Sequence, residues 1–438
     1  MRTLIENTTV LTMDSAYSVL EQGYVLINDT VIEKTGTGTC ELPYDRKVDG
    51  TGKILMPGMI NCHSHISMIP FRSMGDDCPD RLRRFLFPLE LEAMTPELVY
   101  LSAKYAVCEM LLAGVTTVVD MYYFENEVAK ACEELGIRGY LGETVINMET
   151  CDSKTPYGGL PYGISFLKRW NGHELITPLI APHAANTNSP EQLKKAWQLS
   201  REYETFYTLH VSEMDYEIKY FREHYGKTPT QFLYDLGVLG EKTIAAHCIH
   251  MTGQDLELLS QTGTKVAHCI GSNTKAGKGT APVRDMKAAG IQVGLGTDGP
   301  SSGNTLDLFT QFRLFASFQK TRDRDRSLFP AKEIISLGTI DGARVLGADA
   351  LIGSIEMGKK ADLVMVETSS VNMFPIYNPY SALVYSANAS NVDTVFVNGE
   401  LLVCNKKMVN VNLNDIRADL SRAMAPFQKQ AAKYGDMI

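Results

Sequence analysis

The chain has 438 residues, of which 44% are apolar and 21% charged, and its formal net charge at pH 7 is -9. This acidic balance, without a long Lys/Arg run, argues against a general nucleic-acid or anionic-membrane surface. The length fits one large barrel plus a smaller domain, and a small molecule is the expected partner.

The amino-terminal region, residues 1–56, alternates apolar and polar residues in short strands, as in Y24-V-L-I-N-D-T-V-I-E. Its first residues lack the apolar core of a signal peptide, and no window reaches the length of a membrane span. The nine cysteines contain no C-x-x-C pair, which is typical of reduced, buried thiols. We therefore expect a cytoplasmic protein.

The middle of the chain, residues 57–349, repeats a short apolar strand, a loop and an amphipathic helical stretch. The predicted strands lie at 59–63, 115–121, 138–146, 175–182, 206–212, 243–248, 265–270 and 291–297. Eight such units predict an α/β fold, a distorted (β/α)8 TIM barrel, whose active site lies at the carboxyl ends of the strands.

The region after the barrel returns to short strands and turns. Residues 350–412 resemble residues 1–56 in this respect, and we predict that the two segments form one small β-sandwich domain from both chain ends. Fold rules alone do not show that the two pieces pair. Residues 413–438 are predicted to be a helical appendage.

The stretch H63-S-H65 places two imidazoles on one face of a strand end, because side chains at i and i+2 point the same way. Alone, this spacing is more typical of two polar residues at the end of a strand than of a metal site. Three other predicted strands end in His210, His247 and Asp298. Four strands that bring histidines and a carboxylate to one rim favour a metal site.

Several ordered motifs carry a resemblance to a known family. The motifs are P57-G-M-I-N-C-H-S-H, H210-V-S-E, A246-H-C-I-H, V266-A-H-C-I-G-S-N, G296-T-D-G and G353-S-I-E-M-G-K-K-A-D-L-V. Together they resemble the amidohydrolase superfamily and, within it, the branch of cytosine/adenosine-type deaminases and s-triazine chlorohydrolases. The resemblance covers essentially the whole chain.

The resemblance implies one divalent metal, zinc with iron as the alternative. The implied ligands are His63, His65, His210 and Asp298. It also implies that Glu213 and His247 handle the proton and position the water, with Asp298 as a further catalytic residue that accepts the water proton. Two-metal members typically carry a modified lysine at the end of the fourth strand, where T177-P-L-I-A-P-H-A has none. A single metal is therefore expected.

Five residues are candidates for substrate contact by the same resemblance. They are Glu90, His183, Glu143, Ser301 and Asn304. Four of them have a structural alternative: Glu90 as a solvated charge, His183 as the cap of a strand, and Ser301 or Asn304 as caps of the next helix. Some nucleoside-deaminating relatives carry an arginine near Glu143, so this acidic residue argues against an adenosine-type substrate.

The function that these features favour is hydrolytic removal of an exocyclic amine from a heterocycle, such as a purine, pterin, pyrimidine or triazine, with release of ammonia. Glu213 and His247 support this reaction, because a poor leaving group needs a proton donor. A sister hydrolase acting on a C-Cl or cyclic amide bond is the alternative, and an inactive scaffold protein is a distant one. Base rates favour a homodimer.

Overall fold

The computed structural model describes residues 1–437. In chain order, the strands are β1 (Arg2–Leu11), β2 (Val19–Asn28), β3 (Val31–Thr37), β4 (Arg46–Asp49), β5 (Lys53–Pro57), β6 (Met59–Ser64), β7 (Val115–Tyr122), β8 (Arg138–Val145), β9 (Ile176–Pro178), β10 (Ala181–Pro182), β11 (Tyr207–Val211), β12 (Thr243–His247), β13 (Lys265–His268), β14 (Val293–Leu295), β15 (Leu363–Glu367), β16 (Val392–Val397), β17 (Glu400–Cys404) and β18 (Lys407–Met408).

The helices alternate with the central strands. They are α1 (Phe87–Ala93), α2 (Pro96–Leu112), α3 (Glu125–Leu135), α4 (Gly159–Trp170), α5 (Pro190–Glu202), α6 (Asp215–Tyr225), α7 (Pro229–Leu236), α8 (Gly253–Thr262), α9 (Ile270–Lys275), α10 (Val283–Ala288), α11 (Leu308–Asp323), α12 (Ala331–Leu337), α13 (Ile340–Val345), α14 (Pro379–Tyr385) and α15 (Leu413–Ala431). A π-helical turn, Leu82–Leu86, precedes α1. Within the described residues, no helix is both long and apolar enough to cross a membrane.

The central strands form two parallel sheets. One has the order β10-β8-β7-β6, with β9 also paired to β8, and the other has the order β11-β12-β13-β14. Each strand is buried, as expected of parallel strands that helices cover on their outer face. All carboxyl ends within a sheet point the same way, so side chains at these ends meet on one rim. The fold is α/β with parallel strands, as the repeat predicts.

The two sheets approach each other at both edges. Parallel bridges join Ile180 to Tyr207 and Ala184 to His210 on one side. On the other side, the backbone N–H of Asp298 donates to the carbonyl of His63 over 3.1 Å. The rims of the two sheets are therefore adjacent.

Strands from both ends of the chain share a third sheet. Its order is β18-β17-β16-β15-β5-β1-β2-β3, with β4 paired to β1. The two chain ends meet where β15 pairs antiparallel with β5, from Leu363 opposite Pro57 to Glu367 opposite Lys53. Eight of these nine strands follow one continuous hydrogen-bonded path, so two separate sheets, as the word sandwich implies, are not established.

Candidate metal centre and active site

The predicted metal ligands lie at the carboxyl ends of three parallel strands. His63 is the penultimate residue of β6 and His65 follows that strand, His210 lies in β11, and Asp298 follows β14. Nε2 of His65 is 3.3 Å from Nε2 of His210 and 3.3 Å from Oδ1 of Asp298. The centroid of the His63 ring is 4.9 Å from those of His65 and His210. The structure thus brings all four side chains to one point.

Backbone carbonyls fix the tautomers of two of these histidines. Nδ1 of His65 lies 2.6 Å from the carbonyl oxygen of Met121, and Nδ1 of His210 lies 2.6 Å from that of His183. Because a carbonyl only accepts, each Nδ1 carries the proton and each Nε2 presents a lone pair. Two lone pairs that face each other at 3.3 Å repel unless a cation lies between them. The geometry therefore fits a bound metal, with carbonyls orienting its ligands.

The charge state of the four side chains suits a divalent ion. His63 is buried, and neither of its ring nitrogens has a hydrogen-bond partner within the described residues. Burial, together with the neighbouring histidines, lowers the pKa of His63 and of His210 well below the ordinary value, so both stay neutral. Burial alone would raise the pKa of Asp298. His65 and His247 outweigh this effect and hold the pKa well below its usual range, so the carboxylate is ionised. Imidazole and carboxylate ligands of this kind suit zinc.

Glu213 and His247 form a pair beside the metal ligands. Nε2 of His247 lies 3.7 Å from Oε1 of Glu213, and its Nδ1 lies 2.8 Å from Oδ1 of Asn273. The backbone N–H groups of Ser212 and Glu213 donate to the buried carboxylate of Glu217 over 3.1 and 2.8 Å. Both Ser212 and His247 have positive φ, of 51° and 71°. Such strained backbone is typical of functional sites.

Sequence reasoning missed Lys278, whose Nζ lies 2.5 Å from Oε1 of Glu213. Burial would raise the pKa of Glu213, but His247 and Lys278 lower it well below its usual range, so Glu213 is ionised in the free site. Burial would lower the pKa of Lys278, but Glu213 and Asp298 raise it, so the ammonium is charged. The stretch G277-K-G279 predicts only a tight loop, and the sequence pattern does not predict a contact between Lys278 and Glu213.

A cavity of about 420 Å³ opens above the metal ligands. Its volume lies in the range of small-molecule sites. His65, His210, Glu213, His247 and Asp298 all line it. Of the predicted substrate residues, it is also lined by Glu90, His183 and Ser301.

Glu90 lies inside the cavity wall. Its side chain is buried, while its neighbour Glu92 is exposed. The hydroxyl of Tyr122 donates to Oε1 of Glu90 over 2.8 Å. Burial raises the pKa of Glu90 to about 7, and the hydrogen bond from Tyr122 lowers it only in part. Its position favours substrate contact over the solvated-charge alternative.

His183 stands at the end of the fourth predicted strand, beside the metal ligands. Its ring centroid is 4.8 Å from that of His210, and its Nδ1 lies 3.0 Å from the hydroxyl of Thr187. Burial lowers the pKa of His183 to about 4, so the ring is neutral. Its remaining nitrogen is available to a ligand in the cavity.

Two of the predicted substrate residues lie outside the cavity lining. The carboxylate of Glu143 accepts the backbone N–H groups of Phe124 and Glu125 over 3.2 and 2.9 Å, which caps the start of α3. Asn304 is hydrogen-bonded to Lys275 and Asp76 at the surface, over 2.8 and 2.9 Å. These contacts engage the side chains of Glu143 and Asn304 away from the cavity lining, and contact of either residue with substrate stays a prediction.

Comparisons with known proteins agree with this geometry. The sequence model of the amidohydrolase family matches residues 54–402. The chain is 37% identical, over 96% of its length and 96% of the relative, to 5-methylthioadenosine/S-adenosylhomocysteine deaminase 1 of Syntrophus aciditrophicus. A crystal structure of an adenosine deaminase from Xanthomonas campestris with bound zinc has a TM-score of 0.94 and 28% identity, covering 98% of each chain. An atrazine chlorohydrolase from Arthrobacter aurescens, complexed with zinc, shares the fold at a TM-score of 0.88 and 24% identity, over 96% of this chain and 100% of that one.

Proposed function

The chain belongs to the amidohydrolase family, and we propose that it hydrolyses the exocyclic amine of a 5′-substituted adenosine and releases ammonia. The observation that carries this proposal is the meeting of three imidazoles and one carboxylate beside the Glu213–His247 pair. The 37% identity to a deaminase of adenosine derivatives, over nearly the whole chain, supports the substrate class.

Four side chains would hold one divalent ion, namely those of His63, His65, His210 and Asp298. Asp298, His247 and Glu213 would then act on the attacking water and the substrate. When bound, such an ion would lower the pKa of a bound water to about 7. Asp298 takes the proton of the attacking water, and His247 holds the oxygen. Glu213, which is ionised in the free site, first receives the proton that Asp298 has taken and delivers it to a ring nitrogen. It then carries the second proton of the same water to the departing amine, which leaves as ammonia. His183 stands where modified lysines hold a second metal in other members, which supports a single ion.

The charges of the cavity lining favour a substrate with an uncharged 5′ substituent. The cations that line it are Arg81, Lys275 and Lys278, within the described part of the chain. Each already pairs with a carboxylate: Arg81 and Lys275 with Asp76, and Lys278 with Glu213. To bind the carboxylate of an amino-acid tail, a lining cation would therefore have to be shared with its present carboxylate partner, whereas an apolar wall that includes Leu86 and Phe87 suits a methylthio group.

A substrate panel tests this proposal. Zinc-loaded protein is assayed for ammonia release from 5′-methylthioadenosine, adenosine and S-adenosylhomocysteine. We expect kcat/KM for methylthioadenosine to exceed that for S-adenosylhomocysteine by about 100-fold, because an unpaired carboxylate is costly to bury. Equal values would contradict the charge argument, and ammonia from none of the three would contradict the proposed reaction.

We also propose that the two parallel sheets close into one distorted (β/α)8 barrel, spanning 57–349, and that the third sheet folds over itself as a sandwich of 1–56 with 350–412. The bridge from Ala184 to His210 supports the barrel. The hydrogen bonds from Ile32 to Lys359 and from Ala361 to Thr30 support the sandwich, because they tie the far edge of the sheet to its middle. The predicted helical appendage, 413–438, then lies outside both, and its last residue is outside the described part of the chain.

A homodimer is proposed from three exposed apolar side chains on one loop. Val371, Phe374 and Tyr377 are 96%, 85% and 94% exposed. Burial of such a cluster against a second copy is favourable. Sedimentation equilibrium should give twice the chain mass of 48.5 kDa, and a single chain mass would contradict it.

A cytoplasmic location is proposed from the thiols. The nine cysteines are free. Free thiols in this number are typical of a reducing compartment.

A further inference from the structure

One segment, residues 273–279, spans the end of α9 and the loop after it and contacts both members of the Glu213–His247 pair. Asn273 accepts from Nδ1 of His247 over 2.8 Å, and Lys278 donates to Oε1 of Glu213 over 2.5 Å. The backbone N–H of Lys278 also donates to the carbonyl of Asn273 over 2.9 Å, which closes the loop. The two contacts are therefore fixed relative to each other.

Glycines on both sides of Lys278 turn it into the cavity. Gly277 has φ of 65° and Gly279 has φ of 112°, values that favour glycine. A Cβ on Gly279 would also lie 3.2 Å from Cγ2 of Ile249. The side chain of Lys278 is 18% exposed, and it lines the cavity together with Glu213. A lysine is rarely buried to this extent without a specific partner.

Lys278 occupies one particular oxygen of Glu213. Oε1 of Glu213 contacts Nζ of Lys278 and faces Nε2 of His247 at 3.7 Å. No hydrogen bond from another described residue occupies Oε2 of the same carboxylate. A carboxylate held by one oxygen can turn only about that contact, so its second oxygen has a restricted direction.

We propose that Lys278 is a positioning residue that holds Oε1 of Glu213, so that Oε2 is presented to the ring nitrogen of the substrate. This inference rests on the proposed deaminase function, in which Glu213 carries the proton. A fixed ammonium beside Glu213 also favours the ionised carboxylate that must accept the proton before it delivers it.

Kinetics of zinc-loaded Lys278→Met tests the proposal. We expect kcat for methylthioadenosine to fall about 100-fold while KM changes less than about threefold, because the step lost is proton transfer rather than binding. Lys278→Arg should retain more activity than Lys278→Met, and added ethylamine should raise kcat of Lys278→Ala in a saturable way. Lys278→Gln replaces the Met variant if that variant does not fold. A change in KM without a fall in kcat, or no change in either constant, would overturn the proposal.

Lys287→Met is the matched control. It also removes a lysine paired with a buried carboxylate, since Nζ of Lys287 lies 3.0 Å from Oδ2 of Asp341, but away from the cavity lining. We expect its kcat to stay within about twofold of wild type. An equal loss in both variants would mean that Lys278 acts only on stability, which would overturn the proposal.

A crystal structure of zinc-loaded Lys278→Met separates this proposal from the proposed function. We expect the Glu213 carboxylate to leave its position against His247 while the four metal ligands stay in place. A Glu213 carboxylate that does not move would overturn the positioning role. This readout holds even if the wild-type protein deaminates no adenosine, a result that would contradict the proposed function alone.

Discussion

His65 and His210 come from strands at opposite sides of the rim, and their Nε2 atoms face each other at 3.3 Å with lone pairs on both. Both Nδ1 protons are held by backbone carbonyls, so neither ring can relieve the repulsion by changing tautomer. The protein is thus arranged for a cation before one binds.

Removal of the metal should abolish activity and lower stability. Chelation leaves the lone pairs of His65 and His210 opposed, and zinc at about 1,000 times its Kd should raise the free energy of unfolding by about 4 kcal/mol. Urea denaturation with and without zinc measures this difference. His65→Ala should bind less than about a tenth of an equivalent of zinc and gain no stability from it. The same zinc-dependent gain in His65→Ala would contradict the assigned site.

Glu213→Gln should keep its zinc and lose its chemistry. The amide cannot carry a proton from water to the ring, so we expect kcat to fall by about 10²- to 10⁴-fold. Zinc content by mass spectrometry and steady-state ammonia release measure the two effects. Glu223→Gln, which removes an exposed carboxylate of α6, serves as the control and should match wild type. Loss of zinc in Glu213→Gln would place Glu213 among the ligands instead.

Glu90→Gln should weaken binding of nucleosides through their sugar hydroxyls. A buried carboxylate is a strong acceptor for hydroxyl donors, so its loss should raise KM about 10- to 100-fold with little change in kcat. For a 2′,3′-dideoxy substrate, which lacks the hydroxyl donors, the KM of this variant should differ little from that of wild type. An equal effect on both substrates would contradict hydroxyl contact by Glu90.

Glu90 should also make stability depend on pH. Its pKa is about 7 in the folded chain, above the ordinary 4.5, so the folded state holds this proton where the unfolded chain has lost it. Stability is therefore lost as pH rises from about 4.5 through 7, by about 3 kcal/mol. Urea denaturation at pH 5 and pH 8 should show that the free energy of unfolding falls more with pH in wild type than in Glu90→Gln. An equal fall in both proteins would contradict the raised pKa.

Gly296→Ala should separate the two strands that carry His63 and Asp298. A Cβ at this position would lie 2.9 Å from the carbonyl oxygen of His63, so the strands must move apart. We expect a loss of about 1 to 3 kcal/mol in stability and weaker zinc binding. Gly253→Ala, whose Cβ would meet nothing within 4 Å, should show neither effect. Wild-type zinc affinity in Gly296→Ala would show that this close approach does not set the site.

The ligands could be predicted from the sequence because a repeat of strands places their ends on one rim. His63 and His210 lie near the carboxyl ends of apolar strands and Asp298 follows one, so position along the chain sufficed. Glu143 lies near the end of β8 in the same way, yet its carboxylate turns to the amides that open α3. The strand pattern predicts where a residue lies on the rim, but it does not predict which neighbouring group its side chain will hydrogen-bond.

Lys278 could not be predicted for a related reason. It lies in a loop between α9 and α10, where its direction depends on the positive φ of two glycines and not on a periodic pattern. Its partner Glu213 is 65 residues earlier in the chain. Only the folded structure brings these two residues together.

The most direct measurement of the central claim is deamination of 5′-methylthioadenosine by zinc-loaded protein in ¹⁸O-labelled water. The account predicts one ammonia per substrate consumed and one ¹⁸O in the purine product, because water supplies the oxygen that replaces the amine. It further predicts that His65→Ala yields neither. Zinc-loaded wild-type protein that leaves methylthioadenosine unchanged, or a product without ¹⁸O, would contradict it.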